Sequence, residues 1–164
     1  MATLAVTGHM DLTSPTRELV RDALRDLLAR RDDAEGALVG VSCIAPGADT
    51  LFAEAVLEAG GALVVVVPSL DYRRSHVTPD HAPVFDRLMA AASEVVPLPF
   101  GKAGREAYEA ANAELLRRAD TLIAVWDGTP PSGKGGGTAD SVRAARSMGI
   151  PVRTVWPRGS ARNG

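Results

Sequence analysis

The sequence predicts an α/β domain of three layers, with helices on both faces of a mostly parallel sheet of five to seven strands. Two observations carry this. Apolar runs rich in β-branched residues recur along the chain and alternate with stretches of helical periodicity, which implies right-handed crossovers between parallel strands. Gly, Pro, Asp and His gather in the segments that leave the predicted strands, whereas the segments that enter them are short and chemically plain. That asymmetry is expected when all strands point one way and ligands meet their carboxyl ends, the Rossmann-like arrangement.

The predicted strands are Leu4–Val6, Leu38–Ile44, Ala62–Val67, Glu94–Val96, Thr121–Trp126 and Pro151–Trp156. In the first helix Leu19, Val20, Ala23, Leu24, Leu27 and Leu28 fall on one face, with Ser14 as expected N-cap and Pro15 at the first helical position. The second repeats the stripe with Ala48, Leu51, Phe52, Ala55, Val56 and Ala59, and Gly60-Gly61 ends it. A short helix is expected between the third and fourth strands. Tyr108, Ala111, Leu115, Leu116 and Ala119 form the next stripe, and Val142, Ala145 and Met148 line the last helix before Gly149 and Pro151.

With 164 residues and 46% hydrophobic content, one domain over residues 1–157 and a flexible tail over 158–164 are expected. The net charge of -2 provides no global basic field, so nucleic acid is not an expected partner. No apolar run approaches the roughly 20 residues that span a bilayer, and the first residues lack the basic start of a leader. A cytoplasmic protein without membrane contact is therefore expected. Cys43 sits in an apolar run and reads as a buried thiol. His9, His76 and His81 have no metal-ligand spacing around them, so neither a metal nor a cofactor is expected.

The chemistry concentrates after the fifth strand. Thr121-Leu-Ile-Ala-Val-Trp-Asp-Gly128 leads into a loop with Gly133, Gly135, Gly136 and Gly137, and Thr138 then opens a helix. Glycines let the backbone approach a ligand closely, and the free N–H groups of a helix start seat an anion. Gly135, Gly136, Gly137 and Thr138 are thus candidates for holding a phosphate. Lys134 is followed by Gly135 and not by a hydroxyl residue, so an ATPase P-loop is not formed. Asp127 could orient a ribose hydroxyl or act as a base, or could close its own loop as an Asx-turn. Asp49 could cap the second helix or reach the site mouth beside Gly47. His9 could donate to a phosphate or base, or be satisfied within its loop. Arg73 or Arg74 could meet a phosphate. Asn112 reads as a buried polar group able to contact a base, and Trp126 as a core residue.

Four segments in this order resemble the SLOG superfamily: Thr7-Gly8-His9, Pro46-Gly47-Ala48-Asp49-Thr50-Leu51-Phe52-Ala53-Glu54, Ala119 to Gly128, and Gly135-Gly136-Gly137-Thr138-Ala139-Asp140. That group joins DNA-processing Smf proteins, Lonely-guy phosphoribohydrolases and small nucleotide-sensing domains. The resemblance implies a homodimer with a nucleotide-like ligand at the carboxyl edge. The Lonely-guy enzymes carry two adjacent acids after their glycine loop, and here those positions are Asp140 and Ser141. The second acid is replaced by a hydroxyl, and the Arg-Lys-x-x-x-Met segment of that family has no counterpart. Nucleoside deoxyribosyltransferases are similar at Asp127, Gly137-Thr138 and Gly149-Ile-Pro-Val152, yet would also place their glutamate at Ser141.

A binding module without turnover is therefore the first reading. A glycosidic-bond enzyme on nucleoside monophosphates, using Asp140 or Asp127 as catalytic acid, is the second. Single-stranded DNA binding in the Smf manner ranks last, because aromatic content is only 4%.

Overall fold

The computed structural model describes residues 2–31, 36–131 and 137–163. Its elements are β1 (Ala2–Gly8), α1 (Ser14–Ala29), β2 (Leu38–Ser42), α2 (Ala48–Glu58), β3 (Ala62–Val67), α3 (Tyr72–Ser75), α4 (Ala82–Ala91), β4 (Glu94–Pro97), α5 (Arg105–Arg118), β5 (Thr121–Val125), α6 (Thr138–Ser147) and β6 (Val152–Thr154). All six strands pair in parallel in the order β4-β3-β2-β1-β5-β6. The chain moves outward from β1 in one direction through β4, then returns to start β5 on the other side of β1. The carboxyl ends of β1 and β5 therefore form the topological switch point.

Alternation along each strand builds the layers. Leu4 and Val6 of β1 and Ile123 and Val125 of β5 join the α1 and α2 side with Val20, Leu24, Phe52 and Val56. Ala5 and Leu122 face Ala111, Leu115 and Ala145 of α5 and α6. In β3, Leu63 and Val65 meet Phe85 and Leu88 of α4, whereas Val64 and Val66 turn to α5. Helices α1, α2 and α4 thus cover one face, and α5 and α6 the other.

Local chemistry shifts several boundaries. The N-cap of α1 is Thr13 and not Ser14: its hydroxyl accepts the Thr16 N–H at 3.3 Å. Between β3 and β4 two helices stand where one short helix was expected, because Phe85 and Leu88 give α4 an apolar stripe of its own. β2 stops at Ser42, where the Ser42 hydroxyl accepts the Ile44 N–H at 3.0 Å and turns the chain.

Residues 158–163, expected as a flexible tail, fold back onto the start of α1. Leu12 and Arg162 form an antiparallel bridge, the Ala161 N–H donates to the Thr16 hydroxyl at 2.8 Å, and the Asn163 side chain donates to the Leu12 carbonyl at 3.2 Å. Composition had marked this segment as loose, but it finds partners for its backbone on the domain. No helix among the described residues is long and apolar enough to cross a membrane.

Candidate functional site

Two depressions meet at the carboxyl edge of the sheet. The first is a cavity of about 560 Å³ between the loops after β1, β2 and β3 and the helices α5 and α6. Thr7, Gly8, Asp49, Gly137 and Thr138 all line it, so five of the residues singled out in the sequence converge from three separate elements. Cys43, Tyr72, His76, Thr78, Tyr108 and Asn112 complete its polar lining among the described residues. The second is a crevice of about 480 Å³ at the switch point, lined by Gly8, His9, Asp11, Trp126, Thr129, Gly137, Thr138, Asp140 and Arg162. Thr138, the first residue of α6, belongs to both walls.

Glycines at 8 and 47 let the edges approach. A Cβ on Gly8 would lie 2.4 Å from the Ala48 Cβ and 2.9 Å from the Val125 carbonyl. Gly47 has φ 82 and a Cβ there would lie 2.6 Å from the His9 carbonyl. In the gap so made, the Ala48 N–H donates to that carbonyl at 3.2 Å. Both glycines serve the packing of α2 on the β1 loop, independently of any ligand.

Asp49 is held by a strained turn. Ile44 has φ 48, a left-handed value that a β-branched residue adopts only when its surroundings enforce it. Here its side chain is fully buried, its N–H is bound by Ser42, and its carbonyl meets His81 Nε2 at 2.9 Å. The turn aims the Ala45 N–H at Asp49 Oδ2, 3.3 Å away, while the Thr50 hydroxyl donates to the Ala45 carbonyl at 2.7 Å. Asp49 keeps a little exposure toward the cavity but is otherwise enclosed. Burial pushes its carboxyl up to about 7, and the single Ala45 hydrogen bond only partly offsets that. Its Oδ1 makes no hydrogen bond among the described residues.

Tyr72 stands across from it, only 8% exposed. Burial raises its hydroxyl, with Asp49 and then Cys43 adding to the effect. The short helix α3 is fixed by Asp71, whose Oδ1 accepts from the Ser69 hydroxyl at 2.6 Å and the Ala103 N–H at 2.9 Å. Cys43, half-buried in the cavity lining, is likewise raised well above the ordinary thiol range, first by burial and then by Asp49, so it stays protonated.

The crevice is organised differently. His9 Nε2 lies 3.1 Å from both Asp127 Oδ1 and the Asp127 N–H, so the ring tautomer decides whether it donates to the carboxylate or accepts from the amide. Asp127 also closes an Asx-turn, accepting the Thr129 N–H at 3.0 Å and the Thr129 hydroxyl at 2.8 Å. Burial acts to raise its carboxyl, but Thr129 and His9 outweigh burial and bring it down to about 2. Arg162 reaches in from the tail, 2.9 Å from Asp11 Oδ1 and 3.6 Å from Asp127 Oδ2. Trp126 lines the same crevice, its Nε1 donating to the Thr129 carbonyl at 2.9 Å.

At the start of α6, Asp140 Oδ2 accepts the Gly137 N–H at 3.3 Å, a capping contact. Asp140 borders the crevice and the cleft between α5 and α6, not the cavity. Ser141 is buried and turned into that same cleft, its hydroxyl without a partner among the described residues. Arg73 lies on α3, outside the cavity lining, in a bidentate pair with Asp86 at 2.8 and 2.9 Å. Gly135 and Gly136 lie outside the described residues, as does Lys134. Sequence reasoning passed over Tyr72, Asp11 and Arg162; the run Ser69-Leu-Asp-Tyr72 on the correct edge was the available signal for the first, and nothing pointed to the others.

No family model matches the sequence, and no curated protein does. Solved structures do match. DNA processing protein A (DprA) from Streptococcus pneumoniae superposes with a TM-score of 0.70 at 17% identity over 97% of this chain. The Helicobacter pylori DNA processing protein A, described for its single-stranded DNA binding mode, gives 0.68 at 19% identity over 99%. The fold is the SLOG-type Rossmann-like fold. The molybdenum cofactor (Moco) carrier protein from Chlamydomonas reinhardtii shares it, with a TM-score of 0.54 at 18% identity over 94% of this chain. The chain spans 52% of the Streptococcus protein, 68% of the Helicobacter protein and 75% of the carrier protein. With two DNA-processing proteins among these, the expectation that nucleic acid is not a partner gains no support.

Proposed function

We propose that this domain is a member of the SLOG superfamily that binds a nucleotide-like small molecule in the 560 Å³ cavity without turning it over. The observation that carries the reading is the convergence of Thr7, Gly8, Asp49, Gly137 and Thr138 on one cavity at the carboxyl edge. A phosphate would sit against the first turn of α6, where free N–H groups and the helix dipole favour an anion. Hydroxyls of Thr7, Tyr72 and Tyr108 make no hydrogen bond among the described residues and supply polar contacts for a sugar or base. Binding without glycosidic cleavage is supported by the placement of the two acids considered for catalysis: Asp140 caps α6 outside the cavity, and Asp127 is committed to its own loop and His9. A cytoplasmic homodimer is part of the proposal, and light scattering on the purified chain tests the dimer.

The test is calorimetric titration with a panel of nucleoside monophosphates, their parent nucleosides and a short single-stranded oligonucleotide, followed by chromatography for free base. Thr138→Glu places a carboxylate where the phosphate would lie while suiting the helix start. It should weaken the monophosphate at least about tenfold and leave the nucleoside nearly unchanged. Release of free base by the wild type would restore the enzyme reading. Binding of the oligonucleotide alone would assign the edge to DNA.

A further inference from the structure

The cavity presents one carboxyl group whose hydrogen-bonding capacity is only partly used by the described residues. Among the described residues Asp49 is the only acid in its lining, and no lysine or arginine lines it. His76 is the one group there able to carry positive charge, and its ring is stacked on Tyr72 with centroids 6.1 Å apart. Among the described residues Oδ1 of Asp49 is without a hydrogen bond, Oδ2 has one long contact and a lone pair to spare, and the Tyr72 hydroxyl that lines the same cavity has no partner. Enclosed carboxylates are ordinarily paired, because an unmatched buried charge is costly. This site is therefore shaped for donors carried in by a ligand. The surrounding walls, Tyr72, Tyr108, Pro68 and Leu115, suit a flat ring.

We propose that Asp49 recognises a planar heterocycle that presents a ring N–H beside an exocyclic amino group, the acyl-guanidine edge shared by guanine and pterins. Two parallel N–H groups meet the two carboxylate oxygens in the fork geometry that makes bidentate pairs strong. Tyr72 adds its hydroxyl to the rim of the same edge. A ribose diol could also donate to a carboxylate, but the flat walls of Tyr72, Tyr108 and Pro68 around Asp49 suit a planar ring rather than a sugar. Adenine presents an acceptor where the ring N–H is needed, and hypoxanthine lacks the amino group. The inference rests on the cavity being the ligand site, and it names the ligand class for that site.

The experiment is titration of the full chain at pH 8 with GMP, IMP, AMP and an unphosphorylated pterin, in wild type, Asp49→Asn and Tyr72→Phe, with thermal melts confirming that each variant is folded. GMP should bind at least about tenfold tighter than IMP and tighter still than AMP, the difference expected for a charged hydrogen bond made or lost. Asp49→Asn should erase that preference, and Tyr72→Phe should weaken GMP by a smaller factor. Tighter binding of the pterin than of GMP would assign the same edge to pterins, and the reverse to guanine nucleotides. AMP bound as tightly as GMP, with no change in Asp49→Asn, would overturn the inference while leaving the cavity as a nucleotide site. If no nucleotide or pterin binds, the reading of the cavity itself falls with it.

Discussion

The cavity and the switch-point crevice sit side by side on one sheet edge and share Thr138, yet their polar groups are in opposite states. In the crevice, His9, Asp127, Thr129, Asp11 and Arg162 satisfy one another. In the cavity, an Asp49 oxygen and the hydroxyls of Thr7, Tyr72 and Tyr108 have no partner among the described residues. Open α/β sheets generally bind at the switch point. Here the free hydrogen-bonding capacity lies one strand over, between the loops of β1, β2 and β3. Position at the edge is therefore insufficient to locate a site, because a polar cluster already closed on itself has little left to offer a ligand.

The comparison can be broken most severely at Gly8, which belongs to both walls. Gly8→Ala sets a methyl 2.4 Å from the Ala48 Cβ, with the Val125 backbone barring retreat. Overpacking of this kind costs about 3 kcal/mol, and a thermal melt should fall by about 10 °C whether or not ligand is present. An unchanged melting temperature would mean that α2 is free to shift.

Asp49 has an effect of similar size that depends on pH. Its folded carboxyl is raised to about 7 from an ordinary 3.8, so the folded state holds a proton that the unfolded chain releases first. The sign follows: stability is lost as pH rises from about 4 through 7, by at most about 4 kcal/mol and less to the extent that water reaches the carboxylate. Asp49→Asn should raise the melting temperature at pH 8, do little at pH 4, and flatten the profile between. A destabilised variant at pH 8 would show that the carboxylate has a protein partner.

Asp127 behaves in the opposite sense. Its carboxyl is depressed to about 2, so its contribution is complete above pH 4 and disappears as pH falls through 2. Asp127→Asn should cost about 2 kcal/mol at neutral pH and little near pH 2, read by denaturant titration at both values. Arg162→Ala, which removes a partly exposed pair with Asp11, should cost about 1 kcal/mol at most. Neither change should alter ligand affinity in the cavity.

Much of the fold was legible because period and composition report burial directly. The six strands follow from which residues must be apolar, and the stripes of α1, α2, α5 and α6 are buried or partly buried except at Tyr108 and at the helix ends, where Ala59 and Met148 fall past the last turn and are exposed. Residues whose role depends on a distant partner were not legible in this way. Tyr108 falls on the apolar stripe of α5 but is 36% exposed and faces the cavity, since periodicity cannot tell a core wall from a pocket wall. Gly8 reads as a ligand glycine, and only the position of Ala48 shows that helix packing demands it. Arg162 sits in a segment of Gly, Ser and Arg that composition marks as loose, and its anchoring by Asp11, 151 positions earlier, has no local signature.

The central claim is that the open polar groups of the cavity, and not the closed cluster beside it, receive the ligand. Calorimetric titration of GMP into wild type, Asp49→Asn and Asp127→Asn at pH 8 tests it most directly. The account predicts at least about tenfold weaker binding in Asp49→Asn and an unchanged constant in Asp127→Asn. Binding that survives in Asp49→Asn but is lost in Asp127→Asn would contradict it and place the ligand in the switch-point crevice.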